Sequence, residues 1–180
     1  MSRILSSVLL AATLPLFGAH TPAAAQTPPS DATAAKATAS PDSAELKAFK
    51  AAIRAKYALK ERAFAAHDAE TIVTKFYTAD VISVGEGEGI FIGRDQIRPL
   101  YQDVVKDNVV RIDSVYTYVS GSAGWDWADF HVTPAKGEPF TFAILFLWTR
   151  INGVWMCKGD FFVNGSLRTG KLATPAPAGS

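Results

Sequence analysis

An aspartate and a histidine stand two residues apart in the segment Trp125-Asp-Trp-Ala-Asp-Phe-His131. On an extended chain, residues i and i+2 project from one face, so Asp129 and His131 would lie about 7 Å apart, given a rise of about 3.3 Å per residue. A carboxylate set among Trp125, Trp127 and Phe146 would be desolvated, which raises its pKa, and a neighbouring imidazolium would oppose that shift. Such a pair has the chemistry of a general acid and base acting on a small apolar substrate with one acidic proton. Tyr57 and Lys60, one helical turn apart further upstream, are two groups able to polarise a carbonyl. Each residue also has an ordinary structural role available: Lys60 can lay its stem on a core with its ammonium in water, and Asp129 and His131 can satisfy hydrogen bonds near a sheet edge. Outside the first 25 residues the only other histidine is His67, and the single cysteine is Cys157, so no metal-ligand spacing arises and neither metal nor cofactor is expected. Gly85-Glu-Gly-Glu-Gly89 is rich in glycine, but its two carboxylates would repel phosphate and no Walker-type lysine follows, so it is expected to be a mobile loop.

The elements that must hold these groups are legible from periodicity. Ser43 to Ala66 lacks Pro and Gly and places Leu46, Phe49, Ile53, Tyr57, Lys60 and Phe64 on one stripe, the pattern of a long amphipathic helix. Asp68 is an N-cap for a second helix from Ala69 to about Thr78, with Ile72, Val73 and Phe76 inward, and a strand from Val81 to Val84 follows. Ile90 to Ile92 is extended, and Asp95 can cap a third helix running to about Val105. Strands are expected over Val109–Val119 and Trp125–Thr133. The longest signal is a hairpin, Phe140 to Val163, closed by Asn152-Gly153, since a type I′ turn needs positive φ at both central residues. Pairing Ile151 with Val154 puts Trp148 opposite Cys157, Phe146 opposite Gly159 and Leu145 opposite Asp160. Lys158 and Asp160 then share the outer face. If the turn from Pro134 to Pro139 brings His131 near Phe142, Asp129 and His131 join the aromatic face of the hairpin, and Phe64, Phe76, Trp125, Trp127, Phe142, Phe146 and Trp148 line one cavity.

This order of elements resembles the nuclear transport factor 2-like superfamily, whose members include ketosteroid isomerases, scytalone dehydratase and polyketide cyclases. The resemblance is carried by the first helix ending in His67-Asp68, Phe76-Tyr-Thr-Ala-Asp80, Gly93-Arg-Asp-Gln-Ile97 with Tyr101, and Leu147-Trp-Thr-Arg-Ile-Asn-Gly-Val-Trp155. It implies an α+β fold: a long N-terminal helix and two short helices packed on a strongly curled, mostly antiparallel sheet that forms a cone with an internal pocket. It also implies that the outer sheet face makes a homodimer, which suits a hairpin apolar on both faces. The isomerase tyrosine and two acids fall on Lys60, on Val84 or Gly85, and on Phe146 or Leu147. All three positions depart from that pattern, and the chain looks more like the polyketide-cyclase-like, exported branch.

Composition bounds the rest. Arg3, the apolar run from Ile4 to Phe17 and Ala23-Ala24-Ala25 have the layout of a cleaved signal peptide, residues 1–25, implying a periplasmic or secreted protein. Residues 26–42, rich in Ala, Pro and Thr, and the tail, residues 167–180, lack the apolar content to offset their ordering entropy, which leaves one domain over residues 43–166. Loss of Arg3 with the signal balances the basic and acidic residues, so no nucleic acid and no membrane partner is expected. The expected function is an exported small-molecule pocket protein performing proton-transfer chemistry (isomerisation, dehydration or cyclisation) on a small apolar substrate. The alternative is a non-catalytic ligand-binding or dimeric interaction module of the same fold.

Overall fold

The structure is a computed structural model and describes residues 42–169; the expected signal peptide, nearly all of the Ala/Pro/Thr-rich linker and the end of the tail lie outside the described residues. Ser43 caps helix α1 (Ala44–Ala65) by accepting the Leu46 N–H, and Phe49, Ile53, Tyr57, Lys60 and Phe64 form its buried stripe. Asp68 caps α2 (Ala69–Thr71) as expected. The chain then widens into a π-helical turn (Ile72–Phe76) and enters strand β1 at Tyr77, earlier than the sequence suggests. Strand β1 (Tyr77–Gly85), β2 (Gly89–Ile92), α3 (Arg94–Val104), β3 (Asn108–Ser120), β4 (Ala123–Pro134), β5 (Phe140–Ile151) and β6 (Val154–Asn164) follow. Gly93, with φ of 77°, rather than Asp95, is the N-cap of α3. Asp95 falls in the first turn, where its charge suits the positive end of the helix.

The six strands form one sheet in the order β2-β1-β6-β5-β4-β3. It is mostly antiparallel, as expected, and mixed only in that β1 runs parallel to β6. It is also open, with β2 and β3 at its edges. The inner face meets α1 through Tyr57 against Phe146 and Trp148, with ring centres 5.2 and 5.8 Å apart, and through Phe49 against Trp155 at 4.6 Å. Asn152 and Gly153 have φ of 50° and 80°, as the tight hairpin turn requires.

Two registers differ from the expected ones, and both matter for the site. Along the β5–β6 hairpin, Ile151 pairs with Val154 and Trp148 with Cys157, but then Leu147 pairs with Gly159 and Phe146 with Asp160. A bulge at Lys158 absorbs one residue and inverts the rest of β6, so that Asp160 and Phe162 face inward and Phe161 outward. On the next strand pair, His131 lies opposite Thr141 and Phe130 opposite Phe142. That single-residue difference turns Trp125, Trp127, Asp129 and His131 to the outer face and Asp126, Ala128, Phe130 and Val132 to the inner one.

Gly159, next to the bulge, lets β1 approach β6 closely. A Cβ there would sit 2.8 Å from the carbonyl oxygen of Ile82 on the parallel neighbour β1. Backbone must move to admit it, so Gly159→Ala is expected to lower stability by about 2 kcal/mol, the scale of an overpacked core. Urea unfolding checks this; an unchanged midpoint would mean that the β1–β6 pairing tolerates the methyl group.

Candidate functional site

The inner face, α1 and α3 enclose a cavity of about 290 Å³ whose apolar wall includes Phe64, Leu100, Phe130, Val132, Phe142 and Phe162. The volume sits near the lower end of the range for small-molecule sites. Its buried end carries Lys60, Ser83, Tyr101 and Asp160; Glu86, Glu88 and Asn164 lie at the exposed end.

Each polar group at the buried end is put there by a local feature of the chain. Lys60 follows Tyr57 on the buried stripe of α1 and is 1% exposed. Tyr101 stands one turn after Ile97 on the buried side of α3. Tyr77 opens β1 where the π-helical turn ends, and Arg94 secures that junction by donating to the carbonyls of Thr74 and Tyr77 at 2.9 and 2.5 Å. Ser83 is the Cα partner of Asp160 across the parallel β1–β6 pair. Asp160 faces inward only because of the bulge.

These side chains form one connected network. The Lys60 ammonium donates to Tyr77 Oη at 2.8 Å and to Tyr101 Oη at 2.7 Å. Tyr77 donates to Asp160 Oδ2 and Ser83 to Asp160 Oδ1, both at 2.5 Å. Because the Tyr77 hydroxyl proton is committed to Asp160, the 2.6 Å contact between the two phenols is a donation from Tyr101. The chain of donors therefore runs from Lys60 and Tyr101 through Tyr77 to a carboxylate. Around the Lys60 nitrogen, the ring centres of Phe76, Phe146 and Phe130 lie 4.5, 5.3 and 5.4 Å away.

Burial pulls the Lys60 amine down to about 8, with the Asp160 charge opposing that shift. Burial first, and Asp160 second, push both Tyr77 and Tyr101 well above the ordinary phenol range, so both remain hydroxyl donors. The Lys60 shift makes stability depend on pH. The unfolded chain keeps the Lys60 proton to about pH 10.5, while the folded chain releases it near pH 8. Between those values the unfolded state holds more protons at Lys60, so the contribution of this group to stability rises with pH. The unfavourable Lys60 contribution is complete below pH 8 and is relieved above it. The Cys157 thiol and the Tyr57, Tyr77 and Tyr101 phenols, which burial keeps protonated in the fold but which ionise near pH 9 and 10 in the unfolded chain, act in the opposite sense. The Cys157 and tyrosine contributions are shared by Lys60→Met, so from pH 8 to pH 10 the unfolding free energy of the unmodified chain is expected to rise by about 2 kcal/mol relative to that of Lys60→Met. Urea titrations of both chains across that range check it, and a difference that stays constant with pH would show that Lys60 is not shifted.

Of the residues expected at the site, Lys60, Phe64 and Phe142 line the cavity. Phe76 and Phe146 lie behind Lys60, and Trp148 is packed in the core. Tyr57 does not reach the cavity wall. It donates to Asp126 Oδ2 at 2.7 Å, and Asp126 also accepts from Thr117 at 2.6 Å and Ser114 at 2.9 Å. Burial pushes the Tyr57 phenol well above its ordinary range, and it raises Asp126 against the effect of these three donors.

Asp129 and His131 do not converge with Lys60 and Tyr57; they lie on the opposite face of the sheet, with Trp125 and Trp127. His131 Nδ1 is 2.8 Å from Thr141 Oγ1, and its Nε2 is 3.3 Å from Asp113. Asp129 is fully buried beneath the chain that leaves β6, accepting from Leu167 N at 2.7 Å and Ser166 Oγ at 2.9 Å. Leu167 and Arg168, expected in a disordered tail, are thus the partners of a buried carboxylate. Tyr77, Ser83, Tyr101 and Asp160 are not among the expected site residues, and Asp160, expected on the outer face, lies inward. Gly159 was the available signal, since a glycine inside a strand commonly marks a bulge.

No protein-family model matches the sequence, and no curated protein is similar to it in sequence. Solved structures are similar in fold. A ketosteroid isomerase-like protein from Erwinia carotovora atroseptica superposes with a TM-score of 0.55 at 19% identity, covering 67% of this chain and 96% of that one. An NTF-2 like protein of unknown function from Shewanella oneidensis gives 0.56 at 13% identity, over 63% of this chain and 97% of the other. A candidate dehydratase of the NTF2-like family from Streptomyces avermitilis gives 0.55 at 14%, over 64% and 95%. Identities this low speak to architecture and leave activity to the side chains. Three helices on one six-stranded mixed sheet, with a pocket between them, give this chain the nuclear transport factor 2-like fold.

Proposed function

We propose that the cavity binds a small, flat, apolar molecule bearing a carbonyl oxygen and moves a proton at the carbon next to it. Lys60 and Tyr101 receive the oxygen, and Asp160 is the base. The observation that carries this reading is the Lys60, Tyr101, Tyr77, Asp160 and Ser83 network set at the buried end of an otherwise aromatic cavity. Donors fixed before the substrate arrives can stabilise the negative charge that develops on an enolate oxygen. Isomerisation, dehydration and cyclisation all pass through such a proton removal. Asp160 already accepts a hydrogen bond on each oxygen, and this favours a second reading, in which the same polar floor only orients a bound ligand.

Titration of 2-tetralone into the full chain, followed by NMR, tests the site itself. Val132 is buried on the cavity wall, so Val132→Trp should fill the space and weaken binding at least about tenfold. Binding indifferent to that substitution would place the ligand elsewhere.

The same reading pairs two copies of the chain through the outer sheet face. Tyr116, Tyr118, Leu147 and Phe161 there are 59%, 52%, 45% and 40% exposed in a single chain. Apolar area of this kind supports association. Light scattering at micromolar concentration should give a dimer, and Leu147→Glu should give a monomer; a monomeric unmodified chain would show that the face is wet.

A further inference from the structure

We infer that Lys60 is a nucleophile that forms a covalent imine with a small aldehyde or ketone held in the cavity, and that the neighbouring carbon loses its proton from this imine. The inference rests on the cavity being a small-molecule site, and it adds an activity that proton transfer alone does not require.

Three observations support it. First, Lys60 is almost wholly shielded from solvent, yet its side chain forms part of the cavity wall, so the contact open to it is with whatever the cavity holds. Second, its nitrogen is enclosed by ring faces: Phe76, Tyr77, Tyr101, Phe146 and Phe130 have centres 4.5 to 5.4 Å away. Desolvation by such walls is the physical route by which a lysine becomes reactive towards carbonyls. With the amine held at about 8, about one Lys60 in ten is neutral at pH 7. Third, the proton donors and acceptors that imine formation needs are already in place. Tyr101 Oη is 2.7 Å from the nitrogen and lines the same cavity, as does Asp160.

The step balances without an outside oxidant or reductant. The neutral amine attacks the carbonyl carbon; a C–N bond forms while the C=O π pair moves to oxygen, which takes a proton from Tyr101. The nitrogen gives a proton back to the phenol network. A proton taken from solvent lets the hydroxyl depart as water and leaves an iminium ion; the same proton returns to solvent when the iminium is hydrolysed. Asp160 takes the proton from the adjacent carbon, and the C–H pair moves into the C–C bond as the iminium π pair settles on nitrogen. Reprotonation and addition of one water return the carbonyl compound and free Lys60.

The experiment is reductive trapping. The full chain is incubated at pH 8 with one equivalent of 2-naphthaldehyde and sodium cyanoborohydride, then subjected to intact mass measurement and peptide mapping. One adduct is expected, equal in mass to the aldehyde less one oxygen atom and located on Lys60. An excess of 2-methylnaphthalene, which fills the cavity without reacting, should suppress it. Lys60→Arg should abolish it, and Tyr101→Phe should slow it by at least about tenfold. The unmodified chain alone decides between the outcomes, because peptide mapping separates Lys60 from the surface lysines even if a variant fails to fold. Naphthaldehyde that binds with no adduct at Lys60, or labelling spread evenly over surface lysines, would overturn the imine and leave the cavity reading standing. A chain that binds neither naphthyl compound would overturn both.

Discussion

Replacing Asp160 by asparagine is expected to leave the fold intact and to slow proton exchange in a bound ketone by a factor of about 10² to 10⁴, the range a positioned base contributes. The substitution keeps the shape of the side chain and removes its charge. Tyr77 and Ser83, which donate to the two carboxylate oxygens, lose one acceptor between them; Tyr77 Oη already accepts from Lys60 and Tyr101, so it keeps its donation to the amide oxygen while the Ser83 hydroxyl rotates to accept from the amide N–H. The Lys60 amine loses the neighbouring negative charge that opposes its desolvation, so its pKa falls further. Exchange rates read by proton NMR, beside a thermal melt by circular dichroism, separate the two effects. Full exchange activity in a folded Asp160→Asn chain would remove Asp160 from the chemistry.

The largest loss of stability is expected from Asp126→Ala, about 3 kcal/mol. Asp126 has no exposed surface and accepts three side-chain hydrogen bonds, from Tyr57, Ser114 and Thr117. Alanine leaves the buried Tyr57 hydroxyl without its acceptor, and a stranded buried donor costs about 1 to 3 kcal/mol, to which the vacated volume adds. Tyr57→Phe removes the hydroxyl that would be stranded. The double variant should therefore be more stable than the two single losses added together predict, and a four-member urea-unfolding cycle measures that difference. Strict additivity would show that Tyr57 and Asp126 do not act as a pair. Because Tyr57 belongs to this network and not to the cavity, Tyr57→Phe should leave exchange chemistry nearly unchanged.

The stripe through Phe49, Ile53, Tyr57, Lys60 and Phe64 is visible in the sequence because a helix repeats every 3.6 residues and nothing interrupts it. The Asn152-Gly153 turn is visible because few dipeptides accept positive φ twice. The alternation of Asp129 and His131 with Ala128 and Phe130 is equally plain, but periodicity says only which residues share a face. Which face points inward depends on register across the Ala135–Pro139 loop, and one residue there moved the whole set. Asp160 was hidden for the same kind of reason: the bulge at Lys158 lies beside Gly159, where β1 makes its close approach, and pairing between segments far apart in the chain is not written in a local pattern. Tyr77 falls within an expected helix that the π-helical turn ends early. Lys60 could be placed on a core stripe, but its partners come from α3, β1 and β6, which no local pattern brings together.

Proton removal beside a carbonyl in this cavity can be followed without any variant, as deuterium incorporation at the carbons flanking the carbonyl of 2-tetralone. The ketone and the full chain are mixed in deuterated buffer near neutral pH and observed by proton NMR. Incorporation is predicted to accelerate in proportion to protein concentration and to fall to the buffer rate when 2-methylnaphthalene occupies the cavity. Incorporation at the buffer rate, with the ketone's own resonances showing it bound, would contradict proton transfer and leave a protein that holds its ligand without changing it.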